Sequence, residues 1–160
     1  RLASRPIGGI VAAASGAATG GQAMRDVVAV LKADLPHYSW VGIYLLEGAE
    51  LVLGPYLGKP SPHTRIPLNR GICGAAASQR ETIIVDDVHS DPRYLACSLE
   101  TRSEIVVPIM KDGRVLGEID IDSDLAGAAA ASVTVDGELR PGSSIALVDD
   151  GREHAVRVML

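Results

Sequence analysis

Only two cysteines, Cys73 and Cys97, occur in the 160 residues of this chain. Cys97 lies in RYLACSLETRSEIVVP, a polar loop leading into an apolar strand that opens with Ser103-Glu104. In such a place partial exposure and neighbouring N–H groups favour a thiolate, the form that acts as a nucleophile. Cys73 stands at the start of the Ala-rich stretch GICGAAASQRE, where a helix N-terminus would favour a thiolate too. The alternative is that both are inert small apolar side chains, since free cysteine is often buried. The polar setting of Cys97 leaves both readings open there.

The stretch EIDIDSD is a second candidate. On a strand, strict alternation places Ile119 and Ile121 on one face and Glu118, Asp120 and Asp122 on the other. Carboxylates so close repel one another, and burying them without partners is costly. Pattern alone reads them first as a solvent-facing polar stripe, and the alternative is a pocket that receives a cation such as an ammonium group. Trp40 and Tyr44 share one strand face with Gly42 and read either as core or as an apolar wall for a ligand. His63, Cys73, His89 and Cys97 can be drawn as a tetrahedral zinc site, but their spacings match no zinc pattern, so no metal is expected.

The elements that must position these residues follow from periodicity. Met24, Val27, Val28, Leu31 and Leu35 fall at helical spacing from Gly20 to Pro36. SWVGIYLLE and ELVLGPYLG read as two strands joined at Gly48-Ala49, and SEIVVPIM and VLGEIDIDSD as two more joined at Lys111-Asp112-Gly113-Arg114. Between the hairpins come a proline-broken segment at 58–67, the short Ala-rich helix, the strand TIIVDDV, and a 14-residue loop at 89–102 of a length that is more often functional than idle. Irregular alternation of helices and hairpins predicts an α+β domain, a mainly antiparallel sheet with the helices packed on one face and a loop-built pocket on the other. Beyond Leu125, LAGAAAAS suggests a short helix and the rest, with two Asp-Gly turns, a β-rich tail. The expected organisation is a domain over 1–124, with an Ala/Gly-rich lead-in over 1–19, and a C-terminal extension over 125–160.

Charge and composition exclude some classes. The formal net charge of −5 leaves no basic surface for a phosphate backbone, so nucleic acid is not an expected partner. Sparse cysteine predicts free thiols in a reducing compartment. Arg1, Arg5 and IGGIVAAASGAA mimic a signal peptide, but Gly8 and Gly9 break the run and it is too short to span a membrane. A soluble cytoplasmic protein is expected.

Taken in order, SWVGIYLLE, ELVLGPYLGKP, HTRIPLNRGICGAA, VDDVHSDPRYLAC, SEIVVPI and GEIDIDSD resemble the free methionine-(R)-sulfoxide reductases, enzymes built on a single GAF domain. The similarity covers roughly residues 20–124. It implies a GAF-like sheet, Cys97 as the nucleophile that attacks the sulfoxide, and Cys73 as the resolving thiol. It also implies that Glu104 assists protonation of the sulfoxide oxygen, that Asp120 and Asp122 hold the ammonium group, and that Trp40 and Tyr44 enclose the thioether end. No cofactor is implied. Thioredoxin or a similar dithiol would be the reductant, and a homodimer is allowed but not specified. Two departures stand out. Many members carry a further cysteine just before T-R-I, where this chain has His63, and the family usually ends in a helix where this chain has its β-like tail. The rival class is a non-catalytic GAF module that senses a small molecule, or that senses redox state through a Cys73–Cys97 disulfide.

Overall fold

The computed structural model describes residues 19–127, 132–135, 138–140 and 156–159. The lead-in expected over 1–19 therefore lies outside the described residues, save for Thr19. Helix α1 (Gly20–Asp34) starts where the Thr19 hydroxyl accepts a hydrogen bond from the Gln22 amide at 3.2 Å, satisfying one of the free donors at a helix N-terminus. It ends as the Leu35 amide bonds Leu31 O just ahead of Pro36, which disfavours helical backbone in its predecessor.

Six strands then form one antiparallel sheet: β1 (Tyr38–Glu47), β2 (Glu50–Leu57), β3 (Arg65–Pro67), β4 (Ile83–Val85), β5 (Ser103–Lys111) and β6 (Arg114–Ser123). Their spatial order is β3-β2-β1-β6-β5-β4. Helix α2 (Gly71–Gln79) joins β3 to β4, and a 3-10 turn, Val88–Ser90, opens the long loop before β5. Both expected hairpins are present. Asp112 and Gly113 each have positive φ, as a type I′ turn requires, whereas at Gly48-Ala49 only the glycine does, as in type II′. The segment at 58–67 ends as an edge strand, β3, paired with β2.

The α+β class and the antiparallel sheet are as expected, but the placement of both helices on one face is corrected. Val27, Val28 and Leu31 of α1 pack on Val41, Ile43, Ile105 and Ile121. Ile72, Cys73, Ala76 and Ala77 of α2 pack on Trp40, Tyr44, Leu51 and Val106, which point the other way from the same strands. The reason lies in β1 and β5, which are apolar at both parities, so each face must be covered. The pocket face is thus built from α2 together with loops.

Gly117 of β6 lies against the backbone of β1, and a Cβ there would stand 2.2 Å from Tyr44 O. A carbonyl in a central strand cannot swing aside as a side chain does. Gly117→Ala is expected to lower stability by about 1–3 kcal/mol, as overpacking does, read as a lower denaturant midpoint at an unchanged slope.

A second antiparallel sheet, order β8-β7-β9, consists of β7 (Ser132–Val135), β8 (Glu138–Arg140) and β9 (Val156–Met159), so the tail is β-structured where it is described. The short helix suggested by LAGAAAAS falls largely outside the described residues. Among the described residues no helix is long and apolar enough to cross a membrane.

Candidate functional site

Register across β1, β6 and β5 sets the floor of the site. Trp40 pairs with Asp122 and Asp122 with Glu104, the next row is Gly42, Asp120 and Val106, and the next is Tyr44, Glu118 and Pro108. Period-two alternation turns all of these side chains to the α2 face. The structure overturns the solvent-stripe reading of EIDIDSD: Glu118, Asp120 and Asp122 are 0, 2 and 4% exposed, and Glu104 is 7% exposed. Alternation correctly grouped the carboxylates, but which face is wet depends on what covers it, and here α2 and two loops do.

Helix α2 brings Cys73 down onto this floor. Its Sγ lies 3.9 Å from Glu104 Oε1, and donor atoms of Cys73, Glu104 and Asp120 all fall within 4.8 Å of one another. Such a group could close on a cation, and it differs from the quartet of His63, Cys73, His89 and Cys97. His89 instead packs edge-on to Tyr94, with ring centroids 5.9 Å apart.

Trp40 and Tyr44 of β1 act as posts for the 58–63 loop. The Trp40 indole donates to Lys59 O at 3.0 Å, and the Tyr44 hydroxyl donates to His63 O at 2.8 Å. Trp40 can lie flat because residue 42 is glycine: a Cβ there would stand 2.2 Å from the Trp40 ring. On its outer side Trp40 stacks on Tyr56, with centroids 5.5 Å apart. His63 puts its Nε2 3.0 Å from Ala96 O and so ties this loop to the one that carries Cys97. A second tie is the ion pair between Lys59 and Glu100.

Between these loops is a recess of about 60 Å³ whose lining includes Trp40, Lys59, Ser61, Cys97, Glu100 and Asp122. Cys97 is partly buried, with its Sγ 3.6 Å from Leu95 O. The recess thus joins Cys97 to Asp122 and Trp40, while Cys73, Glu104 and Asp120 do not line it and lie buried in the same face. Tyr44 is fully buried, so of the two aromatics only Trp40 forms a wall.

The electrostatics correct the thiolate expectations. Burial, then the fields of Asp120 and Asp122, push the Cys97 thiol up to about 12. Burial, then Asp120 and Glu118, hold the Cys73 thiol well above its ordinary range. Both are thiols at neutral pH in the ligand-free protein, because burial, reinforced by the acids around them, outweighs any local N–H groups. Among the acids, burial raises Asp120 to about 7. Glu104 and Asp122 are pushed well above the carboxylate range by burial and by the charge of Asp120. Glu104 therefore holds its proton to higher pH than an ordinary carboxyl group does.

The sequence grouped Glu118 with Asp120 and Asp122 but gave it no separate role, yet it is fully buried with the Cys73 thiol as its neighbour. Its place in the alternating run was the available signal. Lys59 was missed as well, since nothing in a proline-broken loop marks one residue as facing a recess.

A family model of the GAF domain matches residues 21–138. GAF domain-containing protein A of Dictyostelium discoideum is 45% identical over 102 residues, covering 63% of this chain and 63% of that protein. The free methionine-R-sulfoxide reductase of Escherichia coli is 38% identical over 104 residues, covering 65% of this chain and 62% of that protein. The chain thus spans a little under two thirds of the length of these relatives. The solved structure of free methionine-R-sulfoxide reductase from Neisseria meningitidis in complex with its substrate is 39% identical. It superposes with a TM-score of 0.71 over 74% of this chain and 71% of that one.

Proposed function

Because the chain belongs to the GAF domain family, and similar proteins include reductases of free methionine-R-sulfoxide, we propose that it reduces free methionine-(R)-sulfoxide to methionine. The single observation that carries this reading is a recess lined by the Cys97 thiol and by Asp122, next to a sheet face that buries Cys73 beside Glu104.

The proposed cycle begins with the ammonium group of the amino acid pairing with Asp120 and Asp122. That positive charge offsets the part of the Cys97 shift that the acids add to burial, so thiolate formation is easier when substrate is present. Cys97 sulfur attacks the sulfoxide sulfur while Glu104 delivers its proton to the oxygen, since the S–O bond breaks only as its oxygen is protonated. The thioether of methionine leaves, the oxygen passes to Cys97 as a sulfenic acid, and the substrate sulfur has gained the two electrons Cys97 has lost. Cys73 then attacks Cys97, forming a disulfide and releasing water. A dithiol such as thioredoxin reduces the disulfide and returns both thiols. Trp40 shields the thioether end, and neither a metal nor an organic cofactor enters. His63 removes one candidate resolving thiol, which leaves that role to Cys73.

The test is steady NADPH consumption with thioredoxin, thioredoxin reductase and free methionine-R-sulfoxide. Turnover is expected with the R epimer and not with the S epimer. Cys73→Ser is expected to release about one equivalent of methionine per protein and then stall, because the sulfenic acid forms but is not resolved. Ligand binding without any turnover by the unaltered protein would favour the sensor class instead.

A further inference from the structure

A free amino acid carries a carboxylate beside its ammonium group, and the cycle above gives that carboxylate no partner. We propose that Lys59 binds the substrate's α-carboxylate, exchanging its resting partner Glu100 for it. The inference rests on the reductase reading and adds to it a residue that determines specificity.

Lys59, Glu100 and Asp122 all line the recess, and among its described lining residues Lys59 is the only fixed positive charge. Its main chain is anchored at the site, because Lys59 O accepts the Trp40 indole proton at 3.0 Å and Trp40 stands opposite Asp122 in register. Ammonium and carboxylate share one carbon in an amino acid, so their partners must stand close together, and Asp122 and Lys59 line the same small recess. Glu100 is itself a carboxylate held by the Lys59 ammonium. In the ligand-free protein a side chain of the chain's own therefore fills the place the substrate's acid group would take.

Exchange costs little. The side chains of Lys59 and Glu100 are 72 and 58% exposed, and exposed ion pairs are weak because water screens them. Arg93, whose charge reaches Glu104, does not line the recess and is already engaged by Asp91 through a two-pronged contact at 3.0 and 2.6 Å. Recognition of both charges of a zwitterion also separates the free amino acid from the same residue within a polypeptide, which offers neither charge.

The test compares free methionine-R-sulfoxide with its primary amide, which keeps the ammonium group and lacks the carboxylate. The readout is the ratio of kcat/KM for acid over amide in the unaltered protein, in Lys59→Gln and in Glu100→Gln. In Lys59→Gln the ratio is expected to fall about fivefold, through KM for the acid, as suits a partly screened charge pair. In Glu100→Gln the competitor is gone and the ratio is expected to rise about twofold. An unchanged ratio in Lys59→Gln, or an equal loss for both substrates, overturns the proposal while leaving the reductase reading intact. An unaltered protein that turns over neither substrate removes both.

Discussion

Cys97→Ser is expected to abolish reduction of free methionine-R-sulfoxide, with kcat falling by a factor on the order of 10³ or more, as loss of an enzymatic nucleophile does. Serine keeps the shape of the side chain but not its chemistry. A hydroxyl ionises far above the thiol range, and it cannot take up the oxygen as a sulfenic acid while two electrons pass to the substrate. The surrounding fold should survive, since Cys97 is partly buried in a loop and its Sγ makes weak sulfur contacts, with Leu95 O and with Ser61. NADPH consumption and direct measurement of methionine check the activity, and a thermal melt checks the fold. Sustained turnover in Cys97→Ser would sink the assignment. Loss of activity with an unchanged melt separates it from Cys73→Ser, which should still complete the first turnover.

The ligand-free protein is expected to lose stability as pH rises from about 4 to 8, against the common pattern for acidic proteins. Asp120 is raised from 3.8 to about 7 by burial. Below its unfolded value both states are protonated and the group costs nothing. Between the two values the folded state holds the proton that the unfolded state releases, so stability falls with pH and flattens above the folded value. The loss from Asp120 alone is roughly 4 kcal/mol by the linkage relation. Glu104, Glu118 and Asp122 are raised as well, each mainly by burial, and act in the same direction. Asp120→Asn is therefore expected to melt higher than the unaltered protein at pH 8, to match it more closely near pH 4, and to bind the amino acid more weakly. Melting temperatures measured from pH 4 to 8 decide the matter, and a flat profile would show that the acids find partners in solution. The stored repulsion is also a reason for the pocket to accept a cation, since the ammonium group of a ligand relieves it.

Much of the frame was legible in the residues themselves. Helical spacing of Val27, Val28 and Leu31 marked α1, and Asp112-Gly113 marked a primed turn with the chain direction it forces. The alternation in EIDIDSD grouped Glu118, Asp120 and Asp122. These are local properties, decided by backbone geometry within a few residues. The motifs around Cys73, Cys97 and Glu104 likewise carry in sequence alone the likeness to one family.

What local pattern leaves open is which side of the sheet is covered, and by what. The same alternation is satisfied by a wet stripe or by a buried one, and only the seating of α2 and of the 58–63 and 91–102 loops made it buried. The ionisation of both thiols follows from that burial, because a group's charge state depends on every dipole and charge around it, whatever its distance along the chain. The pairing of Lys59 with Glu100 and of His63 with Ala96 O joins residues more than thirty positions apart. Sequence determined the strands, the turns and the chemical groups on offer; packing determined which of those groups share a low-dielectric space, and so which of them can act together.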